Sequence, residues 1–88
     1  MKTKFAVLQD VAENGMLMWL QEKQKEKLVQ NRHKGMWRHE SQVWLLMRAI
    51  EKIGDLSRAL KMKREDDAMI AAADVANFVA MACETKKP

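Results

Sequence analysis

The constraint that acts first on this chain is its shortage of helix breakers. Its 88 residues include three glycines, Gly15, Gly35 and Gly54, and a single proline at position 88. Long stretches of alanine, leucine, methionine, lysine and glutamine run between them, residues that lose little side-chain freedom in a helix. No segment alternates β-branched with polar residues in the two-residue period of a half-buried strand. The chain therefore reads as all-α and as one domain, since a sequence of this length supports one modest core and gains from oligomerisation.

The spacing predicts a first helix over residues 5–31, with Leu8, Val11, Ala12, Met18 and Trp19 as its apolar face. Asn14-Gly15 is a predicted break or bend, because that pair suits a left-handed helix end. Residues 21–27 are entirely polar, which leaves Leu28 and Val29 as the return to the core. Residues 32–40 read as a loop, and Ser41 as the N-cap of a second helix reaching Met62. Its core row is expected at Val43, Met47, Ile50 and Gly54, widened by Leu46, Ile53, Leu56 and Leu60. After a short charged turn, Asp66 and Asp67 open a third helix, where their charge favours the N-terminal dipole. That helix runs to Glu84 through Ile70, Ala73, Asn77, Phe78 and Met81, and residues 85–88 form a tail. The short turn makes the second and third helices an antiparallel hairpin over residues 41–84.

Composition excludes several classes. With 48% hydrophobic and 32% charged residues, the chain is not disordered by composition, and no apolar run approaches the ~20 residues of a membrane span. The first residues lack a signal-peptide pattern, and the lone Cys83 cannot form an internal disulfide. These features predict a cytoplasmic protein. The net charge is +4, and residues 1–40 carry eight Lys/Arg against five Asp/Glu. Arg32, Lys34 and Arg38 beside Trp37 would suit nucleic acid. However, Glu22 and Glu26 interleave with Lys23, Lys25 and Lys27 as on a solvated helix face, and no nucleic-acid-binding signature accompanies the charge.

On helices, residues three or four apart share a face. Arg48, Lys52, Asp55 and Ala59 form one row on the second helix. Asp67, Ala71, Asp74, Asn77 and Phe78 form a row on the third, and the hairpin can set the two rows opposite one another. Four acids at i, i+3 on such helices would hold magnesium for cleavage of nucleotide phosphoanhydrides. Here two of the four positions, Lys52 and Ala71, carry no acid.

Residues 50–60 (Ile-Glu-Lys-Ile-Gly-Asp-Leu-Ser-Arg-Ala-Leu) resemble the Glu-Glu-Val-Gly-Glu-Leu-x-x-Ala-Leu signature of the MazG-like nucleoside triphosphate pyrophosphohydrolases. Residues 71–81 are similar to the Glu-x-x-Asp helix of small phage and bacterial members. The Lys-Gly-x-Trp of residues 34–37 resembles the loop before the first motif. The likeness covers residues 31–84. It implies a MazG-like helical hairpin plus a long first helix, assembled into a dimeric or tetrameric helical bundle. It also implies metal positions at Lys52, Asp55, Ala71 and Asp74, of which only Asp55 and Asp74 keep a carboxylate.

Glu51 matches the leading Glu of the motif but sits about 100° around the helix from Lys52. A displaced cluster of Glu51 with Asp55 and Asp67 with Asp74 is opposed by the roughly 10 Å of helix axis between Asp67 and Asp74. Lys52 places an ammonium where the cation belongs, and its own reading is structural: a built-in cation paired with Asp55 and Asp74.

The resulting expectation is a MazG-like protein that has lost pyrophosphohydrolase activity and needs no cofactor. It would act as a homo-oligomer by binding a protein partner or a nucleotide, by analogy as a phage or prophage modulator of host machinery. The alternative is an active Mg2+-dependent hydrolase that converts a nucleoside triphosphate to monophosphate and pyrophosphate. A third reading is a basic nucleic-acid-binding module.

Lys34 and Trp37 are nucleotide-binding candidates through phosphate charge and base stacking, although Trp37 could equally plug the hairpin mouth. Asn77 could reach a phosphate, or could satisfy Asp55 or a backbone group. His33 and His39 have no companions at zinc-ligand spacing. Trp19, Trp44 and the methionines read as core and interface, and Cys83 as a small core residue.

Overall fold

The computed structural model describes residues 3–85, and these contain helices and turns without a strand. Helix α1 spans Lys4–Gln30, α2 spans Gln42–Lys61 and α3 spans Glu65–Glu84. Short 3-10 turns at Arg32–Lys34 and Trp37–His39 join α1 to α2. Among the described residues no helix is long and apolar enough to cross a membrane.

Local chemistry sets the helix ends. The Thr3 hydroxyl accepts from the Ala6 N–H at 3.1 Å, and the Ser41 hydroxyl accepts from the Trp44 N–H at 3.1 Å, so α1 and α2 each start on a side-chain cap. Helix α3 starts without one, and carries Glu65, Asp66 and Asp67 in its first turn against the dipole. Between α2 and α3, Lys63 takes a left-handed φ of 57°. The Arg64 N–H reaches the Ala59 carbonyl at 2.9 Å and the Lys63 N–H reaches the Leu60 carbonyl at 3.2 Å. This double bond pattern is a Schellman ending, built with lysine where glycine is the usual choice.

Helix α1 is continuous through Asn14 and Gly15, contrary to the predicted break. One interior glycine costs only about 1 kcal/mol, less than the helical bonds that propagate across it. The apolar face expected for α1 is also overturned. Leu8, Val11 and Met18 are exposed, no α1 residue is fully buried, and Leu28 and Val29 are exposed as well. The polar stretch docks instead, with Lys23, Gln24 and Lys27 half-buried.

The hairpin core is likewise not the expected row. Val43, Met47 and Ile50 lie outside, with Leu46, Ile53 and Leu60. The inward row is Leu45, Ala49, Lys52, Leu56 and Ala59, with Leu45, Ala49 and Ala59 buried. The apolar arc of α2 is wider than one neighbour can cover, and the alanines Ala68, Ala71 and Ala73 buried on α3 select its small-residue side for close approach. Leu45 is the one large side chain fully buried among the described residues.

Among the described residues, the backbone of α1 comes close to α3 and to the 3-10 turn at Arg32–Lys34. Its anchor is Asn77, whose amide nitrogen donates to the Gln24 carbonyl at 3.1 Å while its oxygen accepts from the Gln24 side chain at 3.0 Å. At the far end, Thr85, expected to begin the tail, is buried, and its hydroxyl donates to the Glu40 carbonyl at 3.5 Å. The rest of that tail, residues 86–88, lies outside the described residues. Cys83 is exposed rather than a core residue, and Trp44 and most methionines are on the outside too.

Two stability measurements check this account. Lys63→Gly should raise unfolding stability by about 1 kcal/mol by removing the left-handed strain. Asn77→Ala should lower it by about 1–3 kcal/mol because the half-buried Gln24 groups lose their partner. Both are readable by urea denaturation.

Candidate functional site

Three elements converge on Asp74. It projects from the alanine-rich face of α3 and its side chain is 8% exposed. From α2, the Lys52 ammonium stands 3.7 Å from the Asp74 carboxylate and 3.8 Å from that of Asp55. From α1, the Lys27 ammonium stands 3.7 Å from the same Asp74 oxygen, Oδ2. These separations are longer than hydrogen bonds, so the attraction is mainly charge on charge. Two cations neutralise one nearly buried acid.

The lysines reach Asp74 because both are half-buried along their stems, with the ammonium carried on a flexible chain. The remaining candidate acids turn elsewhere. Asp55 is 47% exposed and forms a close ion pair with Arg58, while Glu51 pairs closely with Arg48. Ala71 is buried beside this group and brings no ligand. Asp67 lies in the first, exposed turn of α3. Among the described residues no three His, Cys, Asp or Glu side chains gather as a ligand set. The groups at Asp74 do not suit a divalent cation, since two ammonium charges already face the oxygen that would bind it.

Beside Asp74 opens a cavity of about 540 Å³, walled by α1, the connecting loop, α2 and α3. Lys27, Arg32, Lys34, Arg38 and Arg48 line it, against only Glu40 and Asp74 among acids. Gly35, at φ 99°, turns the loop between its two 3-10 turns, a conformation disfavoured for side-chain-bearing residues. Trp37 forms part of the wall, with the Arg38 guanidinium 5.3 Å from its ring centre. Arg48 lies 5.9 Å from the Trp44 ring and 5.7 Å from that of Phe78, so aromatic faces help hold its charge.

Of the sequence-derived candidates, Lys34, Trp37, Asn77 and Asp74 line one cavity. Asn77 satisfies Gln24, a backbone group among the partners, and not Asp55. Lys27 and Arg48 are the residues that sequence reasoning undervalued. Lys27 could have been found from the spacing Leu20, Lys23, Gln24, Lys27, Asn31, which keeps one face of α1. Its polarity hides it, because apolar periodicity marks only apolar residues as inward-facing. Comparison with family models, curated proteins and solved structures finds no match to this chain.

The shared role of the two lysines predicts strong non-additivity. Lys27→Met or Lys52→Met alone should cost about 1 kcal/mol, since Asp74 keeps one cation. The double variant should cost about 3 kcal/mol or more, because the buried acid then has none. Lys61→Met is the surface control, and a thermodynamic cycle from denaturant unfolding reads the coupling.

Proposed function

We propose that this chain is a MazG-like protein that binds rather than hydrolyses, taking up an anionic, ring-bearing ligand of the nucleotide class without a metal ion. The observation that carries this reading is Asp74 faced by Lys27 and Lys52, each at 3.7 Å. Where the resemblance would place a magnesium ion, the chain supplies its own positive charge. A cation brought there would meet repulsion from both ammonium groups, and the nearby acids Asp55 and Glu51 are each paired with an arginine.

The cavity supports the ligand class. Its volume of about 540 Å³ falls within the ~300–1,000 Å³ common for small-molecule sites. Five lining cations outnumber two acids, so a phosphate group gains attraction on entry. Trp37, Trp44 and Phe78 offer faces on which a planar ring can lie, and Lys34 and Arg32 stand on the loop to meet the anionic end. Binding through arginine and lysine needs no divalent bridge.

The test pairs binding with turnover. Tryptophan emission should change saturably when nucleoside mono- or triphosphates are added in EDTA. Arg48→Gln and Lys34→Gln should each weaken binding by about 5- to 30-fold. Pyrophosphate release from a nucleotide panel with magnesium or manganese should stay at background. Release that depends on the metal and vanishes in Asp74→Ala would overturn the proposal in favour of a hydrolase. A Lys52→Glu/Ala71→Glu variant that gains activity while keeping its helix content would support it, because only the missing acids would have been restored.

A further inference from the structure

Arg48 stands at the boundary between the cavity and solvent. It lines the cavity beside Asp74, with its guanidinium 5.9 Å from the Trp44 ring and 5.7 Å from the Phe78 ring. Ring faces attract a cation but do not neutralise it. The counter-charge comes from one turn further along α2, where Glu51 accepts a close hydrogen bond from Arg48 Nη1. Glu51 lies outside the cavity walls, and its side chain is 59% exposed against 36% for Arg48. The carboxylate therefore holds the guanidinium from the solvent side.

The other lining cations are placed differently. Lys27 is paired with Asp74, an acid of the cavity itself, and Arg32, Lys34 and Arg38 stand on the connecting segment. Among the described residues, Arg48 is the lining cation whose ion pair runs to an acid outside the cavity. An anion entering the cavity meets at Arg48 a charge already countered from outside. The bond to Glu51 uses one nitrogen of the guanidinium, so the fork keeps donors for a second anion. Two anions sharing one guanidinium repel each other, and the repulsion grows with the charge of the newcomer.

We infer that Glu51 is a built-in counter-anion that limits the affinity of the cavity for phosphate-bearing ligands, acting through Arg48. The inference rests on the reading of the cavity as a site for anions of the nucleotide class. While the cavity is empty, Glu51 and the two rings keep the guanidinium in position. Once a phosphate is bound, the same carboxylate opposes its retention, so the site releases its ligand more readily than its lining cations alone would allow. Glu51 is thus a positioning residue that also sets affinity, without touching the ligand.

Titration calorimetry of the full chain with a nucleoside monophosphate in EDTA tests it. Glu51→Gln keeps an acceptor oxygen for Arg48 Nη1 and removes the charge. It should tighten binding by about 2- to 5-fold, the size of an exposed ion pair. In an Arg48→Gln background the same change should have no measurable effect, because the shared guanidinium is gone. Glu26→Gln, which removes an exposed acid paired with Lys23, is the control for net charge and should leave affinity unchanged. The gain from Glu51→Gln should be smaller for the cyclic monophosphate of the same nucleoside, which carries one negative charge where a terminal phosphate carries about −1.5 to −2. Binding that Glu51→Gln leaves unchanged or weakens overturns the inference and leaves the nucleotide reading standing. So does a gain that persists without Arg48, one matched by Glu26→Gln, or one at least as large for the cyclic ligand. Failure of the wild type and every variant to bind either ligand overturns both.

Discussion

The arrangement of the three helices depends on one acid. Asp74 sits on the face of α3 between α1 and α2, and each neighbour sends it a lysine. A carboxylate this buried is costly without a partner, and an ammonium brought to it is stabilised in turn. The attraction therefore ties α1 and α2 to the same point on α3, although the backbones of those two helices do not come close to one another. One turn further on, Asn77 adds directional bonds that the ion pairs lack, fixing Gln24 and with it the register of α1.

Packing around this polar seam is unusual in where it puts bulk. The interior between helices is mostly alanine, with Leu45 as its one large, fully buried side chain among the described residues. The larger apolar side chains of α1 and α2 face outward. Small residues let helices approach closely, but each buries little area, and hydrophobic stabilisation scales with area removed from water. A layer built this way has its strongest apolar potential on the outside.

The same seam shapes the chemistry beside it. With Asp74 neutralised by lysines, the cavity that α1, the loop and the hairpin enclose is dominated by cations and aromatic rings. Its local field favours an anion. Arg48 illustrates the balance, held between two rings while its charge is paired with Glu51.

Helical content, the hairpin, the Ser41 cap and the acidic start of α3 were all legible in the sequence, because each is decided within a few residues by propensity, capping and dipole. The contact of Lys52 with Asp55 and Asp74 was legible too, since i, i+3 spacing and hairpin pairing define it. Other features depend on a neighbour that periodicity does not identify. Apolar pattern alone made Val43, Met47 and Ile50 the core, whereas the alanine face of α3 selected Leu45, Ala49 and Ala59. It also passed over Lys27, whose role exists only because α1 folds back across α3. By itself the sequence determined which segments are helical and where charge could collect. Tertiary structure decided which faces are inside and which cations meet Asp74, because burial is a property of what packs against a helix and not of the helix alone.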